Sequence, residues 1–88
     1  MITRTIRIPA ALLQKLNTVR RETGRNMPSI FRDALCAAAL VPLEGWRLPV
    51  PCSGSMPIKV TLPAEYAEMQ GKDVVAAINW YTEREVTT

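Results

Sequence analysis

Polar side chains alternate with isoleucines near the amino terminus of the chain. In residues 3–8, Ile6 and Ile8 fall on one face of a predicted strand, and the opposite face carries Thr3, Thr5 and Arg7. Arginine can donate two hydrogen bonds to guanine, and threonine can contact base edges or the methyl group of thymine. This face of the strand therefore has side chains of the kind that recognise base pairs in the major groove of DNA.

The predicted strand has no partner within the first forty residues. Its backbone groups must be paired, because an open strand edge invites association with other strands. Two copies of the chain laid antiparallel would form a two-stranded ribbon, and such a ribbon fits the major groove. We therefore expect an intertwined homodimer with Ile6 and Ile8 turned towards the helices.

Two helices are predicted after this strand. Pro9 ends the strand, and the spacing of apolar residues predicts a helix over Ala10–Thr23 that stops at Gly24. Asn26 can cap a second helix with Pro28 in its first turn, and residues 29–40 are apolar around much of the helix circumference. The fold class is therefore mainly α with a short β-ribbon.

The remainder of the chain divides into a proline-rich segment and a second strand with helices. We expect a DNA-binding unit at 1–41, an extended linker at 42–57 and an accessory unit at 58–88. In the accessory unit, a strand over residues 58–62 precedes at most two turns of helix, which Gly71 stops. Asp73 then caps a last helix that extends to about Glu85.

The second half echoes the order of the first: strand, proline, helix, glycine, capped helix. One interpretation is a degenerate second copy, in which Lys59 and Thr61 face outward on a second ribbon strand and one chain forms its own pseudo-dimer. The helix after Pro63 is much shorter than its counterpart, however, and residues 57–88 carry three basic and five acidic side chains. These features favour an accessory unit that binds a protein partner or mediates self-association.

Four short motifs follow one another in the first forty residues. They are Thr5-Ile6-Arg7-Ile8-Pro9, Leu12-Leu13-x-x-Leu16, Thr23-Gly24-Arg25-Asn26 and Ile30-Phe31-Arg32-Asp33-Ala34-Leu35. In the order and spacing of these motifs, residues 3–40 resemble the ribbon-helix-helix DNA-binding family of the MetJ and Arc repressors. The resemblance implies an obligate dimer whose polar strand face, here Thr3, Thr5 and Arg7, contacts bases.

The resemblance also implies a phosphate contact at the start of the second helix, on Asn26 and Ser29 here. We add Arg25 and Arg4 as expected contacts with the DNA backbone. Pro28 departs from the family pattern because proline has no backbone N–H to donate to a phosphate. Two dimers side by side on DNA, forming a tetramer, would compensate for modest contacts by each ribbon.

Composition excludes several other classes of function. The chain has no histidine and only two cysteines, Cys36 and Cys52, so we expect no metal site and no cofactor. No nucleophile with a base and no glycine-rich phosphate loop is present, and we therefore predict that the chain is not an enzyme. The longest apolar stretch is too short to cross a bilayer, which favours a cytoplasmic protein.

The charge distribution agrees with a polyanionic partner, because the first 26 residues carry six basic side chains and one acidic one. The sequence thus predicts a homodimeric repressor of bacterial, plasmid or phage origin that occludes a short inverted repeat in double-stranded DNA. One alternative is an antitoxin or a plasmid relaxosome accessory protein that binds its partner through 58–88. Another is a protein-only inhibitor or adaptor that uses the basic face.

Overall fold

The computed structural model describes residues 2–46, 49–50 and 54–86, and Cys52 lies outside them. These residues form two strands, four α-helices and one 3-10 turn. In chain order they are β1 (Ile2–Pro9), α1 (Ala10–Thr23), α2 (Met27–Ala38), α3 (Leu43–Trp46), β2 (Ser55–Leu62), the 3-10 turn (Ala64–Tyr66) and α4 (Gly71–Val86). The structure is a small α/β fold with helices packed on one face of a two-stranded sheet.

The sheet is an antiparallel ribbon formed within one chain. β1 pairs with β2 along its whole length, from Ile2 opposite Leu62 to Pro9 opposite Ser55. The sequence predicted instead that β1 pairs with the same strand of a second copy. That prediction is wrong, because β2 of the same chain supplies the hydrogen-bonding partner that the first forty residues lack.

The predicted bounds of α1 are confirmed. Leu12, Leu16 and Val19 are buried at the spacing of one helix face. The helix ends at Gly24, which adopts the left-handed conformation with φ 69° and donates its N–H to the carbonyl of Arg20 at 2.9 Å.

The second helix begins at Met27, directly after the predicted cap Asn26, and ends at Ala38. Asn26 caps it as expected, and its side chain accepts a hydrogen bond from the backbone N–H of Ser29. Five of its apolar side chains are buried, namely Ile30, Phe31, Ala34, Leu35 and Ala38.

The last helix, α4, is the most enclosed helix of the fold. Every residue from Val74 to Trp80 is buried, so the middle of α4 is covered on all sides. It packs against α1, α2, α3 and β1. Gly71 begins this helix rather than stopping the preceding one, and Asp73 lies in its first turn.

Packing joins the segments that the sequence treated as separate units. One cluster of buried residues includes Ile8 and Leu16 from residues 1–41 and Val60 and Ile78 from residues 58–88. The predicted linker contains the helical turn α3, whose Trp46 is buried, and its last residues open β2. Among the described residues, no helix has the length and apolar character needed to cross a membrane.

Candidate nucleic-acid interface

The outer face of the ribbon presents polar side chains from both strands. Residues paired directly across an antiparallel ladder project to the same face. The outward pairs are Thr3 with Thr61, Thr5 with Lys59, and Arg7 with Pro57. All are exposed except Thr61, which is half-buried. The structure therefore brings together the side chains predicted for β1 and those predicted for a second ribbon strand.

The opposite, inner face of the ribbon packs against the helices. Ile6 and Ile8 of β1, and Val60 and Leu62 of β2, are all buried in the core. A shift of one residue in either strand would turn these side chains into solvent and bury polar ones. Burial of the inner face thus keeps the polar side chains of the outer face at fixed positions.

Arg7 is exposed and only weakly engaged by the protein. Its Nε lies 3.4 Å from the hydroxyl of Ser55, and one terminal nitrogen lies 3.3 Å from the Ser55 carbonyl oxygen. Both distances exceed the usual range for N–H···O hydrogen bonds, which is about 2.7–3.2 Å. The guanidinium can therefore exchange these contacts for stronger ones with a ligand on the outer face.

Lys59 lies at the middle of the outer face, directly opposite Thr5. Within the described part of the chain its ammonium makes no hydrogen bond or ion pair. Together with Arg7 it gives the outer face two cations, and no acidic residue lies among the paired positions of the two strands. The face has the charge and hydrogen-bonding groups needed to meet a polyanion.

Arg4 lies on the inner side of β1, away from this face. It is half-buried, and its Nη1 donates to the carbonyl oxygens of Ala67, at 3.1 Å, and Met69. Arg4 was predicted to contact the DNA backbone. In the structure its guanidinium connects β1 to the turn that precedes α4.

Arg25, also predicted to contact the DNA backbone, has its guanidinium occupied by the fold. It donates to the Asp33 carboxylate, to the Tyr81 hydroxyl at 2.8 Å and to the Ser29 carbonyl at 3.3 Å. Its central carbon lies 5.9 Å from the centre of the Tyr81 ring. These contacts join the start of α2 to α4.

The Asn26 side chain caps the start of α2. The Asn26 Oδ1 accepts the Ser29 N–H at 3.0 Å, so this amide already has a partner. Pro28 contributes no N–H. The exposed amide group of Asn26 remains as the polar side chain at this helix end.

A cleft of about 480 Å³ lies between β1 and the first turn of α4. Its lining includes Arg4, Thr5 and Arg7 from the ribbon, and Gly71 and Lys72 from the helix. Lys72 is exposed. It adds a cation beside the outer face of the ribbon, and the positive end of the helix dipole lies next to it.

Lys72 was not among the residues predicted from the sequence, although a signal for it was present. If residues 58–88 are aligned with the first half as a second copy, α4 takes the place of α2. The first residues of α4 then correspond to the start of α2, where a phosphate contact was predicted.

Comparisons with protein-family models, with curated proteins and with solved structures found no match. Proposals about function therefore rest on the geometry of the ribbon and on its charges.

Proposed function

We propose that this chain binds double-stranded DNA in a sequence-specific way, with its β-ribbon in the major groove, and represses transcription by occluding the site. One observation carries the proposal: the exposed face of an antiparallel ribbon presents Thr3, Thr5, Arg7, Lys59 and Thr61 together. A two-stranded ribbon has the width to enter the major groove. Arg7 is the residue with the chemistry to select guanine.

The arrangement of helices also supports a ribbon-helix-helix unit. α2 packs against β2, and α4 packs against β1, so each of these helices covers the strand of the other half. α2 and α4 also pack against each other. The same exchange of elements is expected when two ribbon-helix-helix chains intertwine, and here we propose that a single chain provides both halves.

Phosphate contacts would come from cations beside the ribbon. Lys72 lines the same cleft as Arg7 and would bind the DNA backbone, while Asn26 offers a side-chain amide at the other helix start. Because Arg4 and Arg25 already bind groups of the protein, we assign them to the fold.

The alternatives that need a separate partner-binding arm are less favoured. An arm at 58–88 would have to leave the core, but this segment supplies one ribbon strand and the most enclosed helix. Removing it would expose Ile6 and Ile8, which are buried in the fold.

Selection of bound duplexes from a random DNA pool tests the proposal. We expect one motif to be enriched by the wild-type chain at about 0.15 M salt. Arg7→Ala should fail to enrich it, whereas Arg20→Ala, which removes an exposed arginine from α1, should enrich it normally. Recovery of an unselected pool by the wild-type chain would overturn the proposal.

A further inference from the structure

The backbone of the ribbon has an approximate twofold axis. It passes between the directly paired residues Thr5 and Lys59 and relates positions equally far along each strand. A rotation about this axis superposes residues 5–9 on residues 59–63. Each inward-facing apolar residue of the first segment then falls on an inward-facing apolar residue of the second. Pro9 falls on Pro63, and their conformations agree: φ −58° and ψ 143° for Pro9, φ −57° and ψ 148° for Pro63.

The outward side chains do not obey this symmetry. The axis places Arg7 on Thr61, and it places Thr3 on Pro57. Arginine can make a bidentate contact with guanine, whereas threonine makes one hydrogen bond or touches a methyl group. Proline has no polar side-chain atom. The two ends of the outer face therefore differ in the base pairs they can favour.

The helices that flank the ribbon differ as well. The strand that ends at Pro9 leads into α1, which has 14 residues, while the strand that ends at Pro63 leads into a 3-10 turn of three residues. α2 begins behind an asparagine cap, and α4 begins with Gly71 and Lys72. The DNA backbone would thus meet different groups on the two sides of the ribbon.

From this mismatch we infer that a single chain recognises a duplex site without twofold symmetry, with the guanine-selecting contact at the end that holds Arg7. The inference rests on the proposed DNA binding and goes beyond it. A symmetric dimer requires a palindromic site because its two half-sites meet identical surfaces. One chain that already contains a complete ribbon has no second identical surface, so a palindrome offers it no additional match.

The test combines the enriched motif with the stoichiometry of its complex. The shortest duplex that retains full affinity is mixed with the wild-type chain, and the mass of the complex is measured by native mass spectrometry. We expect a motif that differs from its own reverse complement and one 9.8 kDa chain for each duplex. Two chains on this duplex, or an inverted repeat as the motif, would overturn the inference and leave DNA binding intact. Failure to enrich any motif would overturn both.

A gain-of-contact variant tests the assignment of the two ends. Thr61→Arg places an arginine at the position related to Arg7, and circular dichroism would verify that the variant is folded. We expect its selected motif to gain a guanine preference on the opposite side of the centre and to become more symmetric. Gln14→Arg adds the same charge on exposed α1 and should leave the motif unchanged. If Thr61→Arg selects the wild-type motif, Thr61 does not face the bases and the inference fails.

Discussion

The guanidinium of Arg25 donates a 2.8 Å hydrogen bond to the hydroxyl of Tyr81, which joins the segment between α1 and α2 to the last helix. The same guanidinium donates to the carboxylate of Asp33. Arg25 belongs to the basic amino-terminal segment of the sequence, and in the structure it connects α2 to α4. Substitutions of Arg25 and Tyr81 therefore measure how much these contacts between α2 and α4 stabilise the fold.

Tyr81→Phe should lower the free energy of unfolding by about 0.5–1.5 kcal/mol, because it removes one hydrogen bond and leaves the ring in place. Arg25→Met should cost more, since it also leaves the Asp33 carboxylate without this partner. Urea denaturation of both single variants and of the double variant measures the coupling between the two residues. Additive effects in the double variant would contradict a direct interaction.

Arg4→Met should destabilise the protein and leave the proposed binding to DNA unchanged. The substitution keeps most of the apolar stem but leaves the carbonyls of Ala67 and Met69 without their donor. The expected loss is about 1–3 kcal/mol in the free energy of unfolding. Affinity for DNA is then measured below the unfolding transition. A variant with wild-type stability and weaker DNA binding would show that Arg4 contacts phosphate instead.

The helices of the first half could be predicted because their limits depend on local chemistry. Pro9 cannot continue a ladder, Gly24 takes up a left-handed conformation, and the Asn26 side chain satisfies a free N–H. The partner of β1 is a long-range property. Alternation and a following proline mark both strands, but these signals do not specify whether a strand pairs within the chain or with another copy.

The direction of the side chains on β1 could be predicted because it follows from strand periodicity. Thr3, Thr5 and Arg7 face outward because alternate residues of a strand lie on opposite faces. The expectation for Arg4 and Arg25 used their charge and their position along the chain, and neither reveals which carbonyl or carboxylate groups the fold brings nearby. The enclosure of α4 was not predicted for a related reason, since it depends on long-range packing against α1, α2, α3 and β1.

Cutting the chain after Leu40 should abolish cooperative unfolding. The cut removes β2 and α4 and exposes the inner face of the ribbon, including Ile6 and Ile8, and buried residues of α2 such as Phe31. Thermal unfolding followed by circular dichroism compares this fragment with a control chain cut after Val86. A fragment that forms a cooperatively folded dimer would show that β1 can pair with a second copy, as the sequence predicted.

Arg7→Ala should weaken binding to the enriched motif by roughly 10- to 100-fold and have little effect on random DNA. The reason is that Arg7 is exposed on the outer face and is held only by long contacts to Ser55. Fluorescence anisotropy with both duplexes measures the two affinities, and Arg20→Ala serves as the matched control. An equal loss on both duplexes would identify Arg7 as a phosphate contact.

Lys72→Gln should weaken binding to the motif and to random DNA by similar factors. Its ammonium lines the cleft beside the ribbon and lies outside the paired positions of the outer face, so we expect it to contact phosphates and not bases. Each lost phosphate contact should reduce the slope of log K against log salt by about 1. Affinities measured across a salt series for wild type, Lys72→Gln and the control Arg20→Gln give these slopes. An unchanged slope for Lys72→Gln would remove the start of α4 from the interface, whereas a selective loss on the motif would make Lys72 a base contact.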